Sequence, residues 1–264
     1  MPSPNRQDRK HRLSQGARGL AAGFAWLCLT VLAHAGDELP IGPFSAATPG
    51  SPLPPGWHAV DFGGDRQRTS YRLVSAEGNT VLRADAHAAA SGLAHEVAAS
   101  VAAYPLLQWR WKAANVLRKS DPATKEGDDY AARVYVMFDY PLEKLSLVER
   151  LRLRLARALY DPGVPAAALC YVWDTRLPVG TILASPYTSR VRIVVAESGV
   201  AHVNTWVTVQ RDIGEDFRRA FGEEPPAISG VALATDTDNT REDATAWYGD
   251  IVLKKRIVTV PGQP

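Results

Sequence analysis

The apolar residues of this chain come in short runs, about ten of them, each cut off by turn residues before it reaches helical length. The runs are Trp57–Phe62, Tyr71–Val74, Val81–Ala84, Leu106–Lys112, Ala131–Phe138, Leu169–Trp173, Arg190–Ala196, Val203–Val209, Gly230–Thr235 and Ala246–Leu253. Most are rich in Val, Ile, Tyr, Trp or Phe, and several alternate with period two. With few long helices between them, they predict an all-β fold: an antiparallel β-sandwich or jelly roll with one or two short surface helices. A doubly wound α/β fold needs a helix after nearly every strand, and those helices are missing. At 264 residues, 46% apolar and 22% charged, the chain can bury a sizeable core, and coiled-coil or disordered readings are excluded.

Two helices are expected. Ser146 and Glu149 form a capping box, after which Leu147, Val148, Leu151, Leu155, Ala158 and Leu159 make one stripe until Asp161-Pro162-Gly163 stops it. Packing of that stripe on the sandwich would leave Arg150, Arg152, Arg154 and Arg157 as a solvated face. The alternative is contact of this Arg150–Arg157 helix with an anionic membrane surface. The second helix runs over roughly 215–221, with Gly222 as its cap and Pro225-Pro226 beyond.

The start of the chain has the three parts of a secretory signal: a basic segment (Arg6, Arg9, Lys10, Arg12, Arg18), the uncharged apolar run Leu20–Leu32, and the small-residue site Ala33-His34-Ala35. Thirteen residues are short for a membrane span, which takes about 20. Residues 1–35 are therefore expected to be a signal peptide cleaved near Ala35, which sends the protein to the periplasm or outside the cell. Without that segment 25 basic and 27 acidic residues remain, a net of −2 against +2 for the whole chain. This excludes the basic footprint of a nucleic-acid binder. Cys170 is then the single cysteine, set in the apolar stretch Ala167–Val172, and reads as a small buried hydrophobe. Residues 36–56, with six Pro and four Gly, are expected to be an irregular lead-in, residues 57–256 the sandwich domain, and residues 257–264 a tail.

Strand parity sorts the candidate binding residues. Arg110 and Lys112 oppose Leu107, Trp109 and Trp111; Arg133 and Tyr135 oppose Val134, Val136 and Phe138; Arg190 and Arg192 oppose Val191, Ile193 and Val195. If these strands are neighbours, five cations and Tyr135 share one outer face. That is a groove for an acidic polymer, because guanidinium forks suit carboxylates. The bland alternative is a solvated outer face. Asp128 and Asp129 enter the Arg133 strand. They point oppositely in extended chain, which weakens a paired-carboxylate glycosidase reading and makes an Asp129–Arg133 ion pair equally good. Tyr135 or Tyr187 with Arg133 or Arg190 are the groups a polysaccharide lyase would use.

Asp236-Thr237-Asp238-Asn239-Thr240 is the densest oxygen-donor cluster. Asp236, Asp238 and Asn239 are the candidate ligands should calcium bind, with Asp250 able to complete the site. Arg241 and Trp247 stand where an EF-hand needs Gly and Glu, and an Asx-bonded turn explains the cluster without metal. No cofactor is called for. Trp206, sharing parity with Asn204 and Thr208, is the best candidate for an exposed ring.

The segments GDDYAARVYVMFDY (127–140), YVWDTRLPVGTILASPYTSRVRIVVAESG (171–199), RDIGEDFRRAFGEEPPAISGVALATDTDNT (211–240) and AWYGDIVL (246–253) resemble an uncharacterised bacterial family, domain of unknown function 3047. The likeness spans roughly residues 55–255. It implies an exported protein on a β-sandwich and, since the family carries no established activity, no catalytic residues. The last segment also resembles the closing strand of jelly-roll carbohydrate-binding modules. Three functions stay open: binding of a carbohydrate or other envelope polymer, anionic if the cation face forms; a lyase or hydrolase on the same scaffold; and a non-catalytic envelope interaction protein.

Overall fold

The computed structural model describes residues 36–63, 66–159 and 163–256. The signal segment, Cys28, the helix stop at Asp161-Pro162 and the tail lie outside them. The described residues form one compact unit.

Among the described residues, thirteen strands stack as two sheets. In chain order they are β1 (Glu38–Gly42), β2 (Trp57–Val60), β3 (Ser70–Ala76), β4 (Asn79–His87), β5 (Ala90–Ala99), β6 (Leu106–Ala113), β7 (Arg133–Phe138), β8 (Ala167–Asp174), β9 (Ile182–Ala184), β10 (Val191–Ser198), β11 (Val207–Asp212), β12 (Ile228–Asp236) and β13 (Asp243–Lys254). The six-stranded sheet has the order β11-β6-β13-β4-β3, with β1 added along the second half of β13. The seven-stranded sheet has the order β2-β5-β12-β7-β8-β10-β9. This is the expected β-sandwich. One pair, β8 with β10, is parallel, and the intervening residues 175–190 carry the crossover that returns the chain in the same direction.

The core lies where the apolar parities of the two sheets meet. Trp109 and Trp111 of β6 face Tyr171 and Trp173 of β8 across it, with ring centroids 5.2 Å and 6.0 Å apart in the two cross-sheet pairs. The Pro/Gly-rich lead-in is not irregular throughout. Its Glu38–Gly42 segment completes the six-stranded sheet, Phe44 is fully buried, and Trp57 donates its indole N–H to the Ile41 carbonyl at 3.0 Å. Short apolar stretches between prolines are enough when the partner strand supplies the hydrogen bonds.

The second helix, α2 (Ile213–Phe221), starts at Asp212, whose carboxylate accepts from the Glu215 N–H at 2.9 Å. Gly222 closes it in the left-handed conformation at φ 73°. An L-side chain is strained there by about 1–2 kcal/mol, so Gly222→Ala should lower stability by about that amount in a urea titration. Beneath α2, buried Asp216 takes both arms of Arg211 and the hydroxyl of Tyr171.

The first helix, α1 (Leu147–Leu159), has the predicted capping box: Glu149 accepts from Ser146, and the Glu149 N–H donates to the Ser146 hydroxyl at 3.2 Å. Its orientation is the reverse of the expected one. Leu147, Val148, Leu151 and Leu155 are 79%, 58%, 58% and 52% exposed. Leu153 packs on the core, while Arg150 and Arg157 turn inward and donate to the carbonyls of Leu145 and Val164. Polar anchors at both ends hold the helix apolar side out.

Candidate functional site

Register dictates what the outer face of the seven-stranded sheet carries. Three rows cross five strands, β5, β12, β7, β8 and β10: Gly92–Ala234–Arg133–Val172–Val195, Ala94–Ala232–Tyr135–Cys170–Ile193 and Glu96–Gly230–Met137–Ala168–Val191. Toward β5 the face is Gly and Ala, so its floor lies low. Toward β10 it is bulky, and Tyr130, Cys170, Val172, Ile193 and Val195 make a second small core that buries β8 on both sides. Cys170 sits in it as a small hydrophobe, its thiol pushed up to about 12 by burial.

Over this face, with Ala90, Tyr135 and Val191 in its lining, lies a cleft of about 480 Å³, while the low floor of Gly92, Ala94 and Ala232 belongs to a smaller chamber beside it. Helix α1 forms one wall with Glu149, Arg152, Leu153 and Ala156; Phe62 and Arg66 stand opposite; Tyr187 and Arg190 flank the cleft; Asp128, Asp236, Asp238 and Asn239 close one end. A second, apolar chamber of about 220 Å³ adjoins it, sharing Phe62, Tyr135, Val164, Pro165 and Val191.

The closed end is built around Arg133, which is 4% exposed. Its Nε donates to Asp236 Oδ1 at 2.8 Å and its Nη2 donates to Asp236 Oδ2 and to the Asp128 carbonyl. Its Nη1 donates to the Tyr135 hydroxyl at 3.3 Å and lies 3.5 Å from Asp128 Oδ1. Arg66 pairs with Asp238 at 2.6 Å. Burial raises the carboxyl of Asp236, against the pull of Arg133; burial and then Asp129 raise that of Asp238, against Arg66. The Tyr135 phenol is pushed well up by burial, so it is no base at neutral pH.

Several sequence expectations are redrawn here. The five-cation patch does not form. Arg110 and Lys112 belong to β6, in the other sheet, where they stack with Trp206 and Trp247 and Lys112 pairs with Glu77 at 2.8 Å. Arg110 lies across Gly249, at a bulge where a Cβ would come within 2.4 Å of its Nε. Trp206 is half-buried beneath these cations rather than free. Arg190 and Arg192 share the parity of the core residue Val194. Their guanidiniums end over Tyr140 and Phe221, at 4.1 Å and 5.4 Å, and Arg190 also reaches Glu223. The Asp129–Arg133 pair is replaced by Asp128 and Asp236. Asp129 instead accepts from the Asn239 amide and the Thr240 N–H. Asp250 does not join the cluster; it accepts from Ser45.

Asp129, Asp236 and Asp238 do bring oxygens within 4.8 Å of one another. Yet Asp236 is held by Arg133, Asp129 by two N–H donors, and Asp238 by Arg66. A calcium ion would have to displace two guanidiniums, so the residues fit an ion-paired turn better than a cation site. The Arg133 form of the lyase assignment fares likewise: Arg133 is engaged by protein carboxylates and has no fork left for a substrate's.

What converges on one cleft is Asp128, Tyr135, Tyr187, Arg190, Asp236, Asp238 and Asn239, with Arg133 behind. Phe62, Arg66, Glu149 and Arg152 were not singled out from sequence as binding residues. Glu149 was visible only as a cap, and nothing local marks Arg66 as the partner of Asp238.

A family model described as "Protein of unknown function (DUF3047)" matches residues 55–252. No curated protein sequence matches this chain. Among solved structures, the family 30 carbohydrate-binding module of the cellulosomal cellulase Cel9D-Cel44B of Clostridium thermocellum is similar at 10% identity and a TM-score of 0.43, over 84% of this chain and 99% of that one. The glycoside hydrolase domain of Endo-D from Streptococcus pneumoniae R6 is similar at 10% identity and a TM-score of 0.30, over 76% of this chain but only 22% of that one.

Proposed function

We propose, for a chain that belongs to the DUF3047 family, that the cleft between α1 and Tyr187 binds a segment of carbohydrate from a cell-envelope polymer, the protein itself being exported. One observation carries the reading. The cleft brings the polar side chains of Asp128, Asp236, Asp238 and Asn239 onto one lining with the exposed ring of Tyr187. Carboxylate and amide oxygens on such a lining are acceptors for the hydroxyls of a carbohydrate. Tyr187, 49% exposed at the mouth, offers a ring on which a sugar face can pack. The volume lies in the range of small-ligand clefts.

The charge balance selects among carbohydrates. Arg66, Arg133, Arg152 and Arg190 stand against Asp128, Glu149, Asp236 and Asp238, so the cleft presents no net positive field. With Arg110 and Lys112 on the far sheet, a neutral glycan fits better than the anionic polymer that parity alone pointed to.

The test is calorimetry with neutral and uronate-containing oligosaccharides, using the chain from Gly36. Neutral oligosaccharides should bind, and Tyr187→Ala, an exposed change, should weaken binding at least about tenfold without moving the unfolding midpoint. Asp128→Asn should weaken it too. No binding to any member of the panel, or binding indifferent to Tyr187, would overturn the reading.

A further inference from the structure

Helix α1 has a second face whose apolar residues the cleft does not use, with Arg152 standing at the edge between the two. On a helical projection Leu147, Val148, Leu151, Leu155 and Ala158 share an arc of roughly 100°, and all are exposed. Arg154 borders that arc on one side and Arg152 on the other, both exposed. Lys144 and Leu142, just before the helix, are exposed as well. Surface helices of soluble domains turn such a stripe onto the core. Here the inward side is given to Leu153, Ala156 and two arginines hydrogen-bonded to backbone carbonyls. Ser189 adds a bond to Glu149 at 3.2 Å. The sandwich therefore fixes α1 rigidly with its apolar residues outward, as contiguous exposed patches on interaction surfaces are.

We propose that α1 lies on an anionic lipid surface, with Leu147, Val148, Leu151 and Leu155 in the acyl boundary and Arg152 and Arg154 at the headgroups. The pattern of an apolar arc with a cation at each border is what chooses lipid over a protein partner. Long guanidinium side chains reach sideways to phosphates while their stems stay in the apolar layer. No helix among the described residues is long and apolar enough to cross a membrane, so the contact is peripheral. Because α1 is also one wall of the cleft, the cleft mouth would open beside the membrane. The proposal does not depend on what the cleft binds.

The chain from Gly36, one compact unit, is the protein to test, since the apolar run Leu20–Leu32 would bind lipid by itself. It should co-sediment with vesicles containing phosphatidylglycerol and far less with pure phosphatidylcholine. Arg152→Gln with Arg154→Gln should weaken the anionic binding about 30-fold, two cations at about 1 kcal/mol each. Leu151→Asp with Leu155→Asp should abolish it. Both pairs are exposed, so the unfolding midpoint should hold. Pelleting unchanged in the Leu pair, or no pelleting with anionic vesicles, overturns the proposal. So does sedimentation velocity showing a dimer that the Leu pair dissociates, because a second copy would then cover the face.

Discussion

Arg133→Met should destabilise the domain by about 3–5 kcal/mol, measured as a lowered urea midpoint at unchanged slope. The reason is what remains. Asp236 and Asp128 are 5% and 7% exposed, and Arg133 is the cation that faces both. Without it two carboxylates stay out of water, close to Asp129 and Asp238, and at least one must take up a proton or open the fold. Asp236→Asn alone should cost less, because the guanidinium keeps Asp128 and the Asp128 carbonyl. Arg133→Met combined with Asp236→Leu should recover much of the loss, since replacing both members of a buried pair by apolar groups is often near neutral. By contrast Arg68→Met, which breaks a pair with Asp61 at the surface, should leave the midpoint almost where it was. An Arg133→Met variant within about 1 kcal/mol of the parent would show that the cluster is solvated and that the closed end of the cleft is not rigid.

That pair also marks where sequence reading stops. The layers were legible because alternation is local: Trp109 and Trp111 declare their face by parity with Leu107, and Gly222 declares the end of α2. Strand β5 was not, because ASGLAHEVAA lacks the β-branched and aromatic residues that signal a strand. It is a strand because β2 and β12 pair with it on both sides, and its Gly92 and Ala94 line the smaller chamber. Which strands neighbour which is likewise absent from local pattern. Arg110 and Arg133 look alike in their runs, yet β6 and β7 fall in different sheets. Arg133 and Asp236 meet across 103 positions of sequence, and Arg66 meets Asp238 across a much longer span. Helix α1 shows the converse case: its stripe was legible, its direction was not, because an outward apolar face breaks the rule by which stripes are read.

The second large effect is expected in the core. Trp111 is fully buried, edge-on to Trp109 at 5.3 Å and tilted against Trp173 at 6.0 Å. It bridges the sheets, since β6 belongs to one and β8 to the other. Trp111→Ala should cost about 3–5 kcal/mol, because the rings around it are anchored by strands and cannot collapse into the space. Trp111→Phe should cost much less, about 1–2 kcal/mol: most of the contact survives, and the change removes an indole N–H that donates to nothing among the described residues. Domains of this kind are stable by about 5–15 kcal/mol, so the Ala variant should still be mostly folded at 25 °C. Its glycan affinity there should fall less than about threefold, because the cleft lies on the outer side of the seven-stranded sheet and touches none of these rings. Urea titration and calorimetry on one preparation separate the two effects. Loss of binding in a Trp111→Ala protein that is demonstrably folded would mean that sheet spacing sets the cleft, and that the outer face cannot be treated apart from the core beneath it.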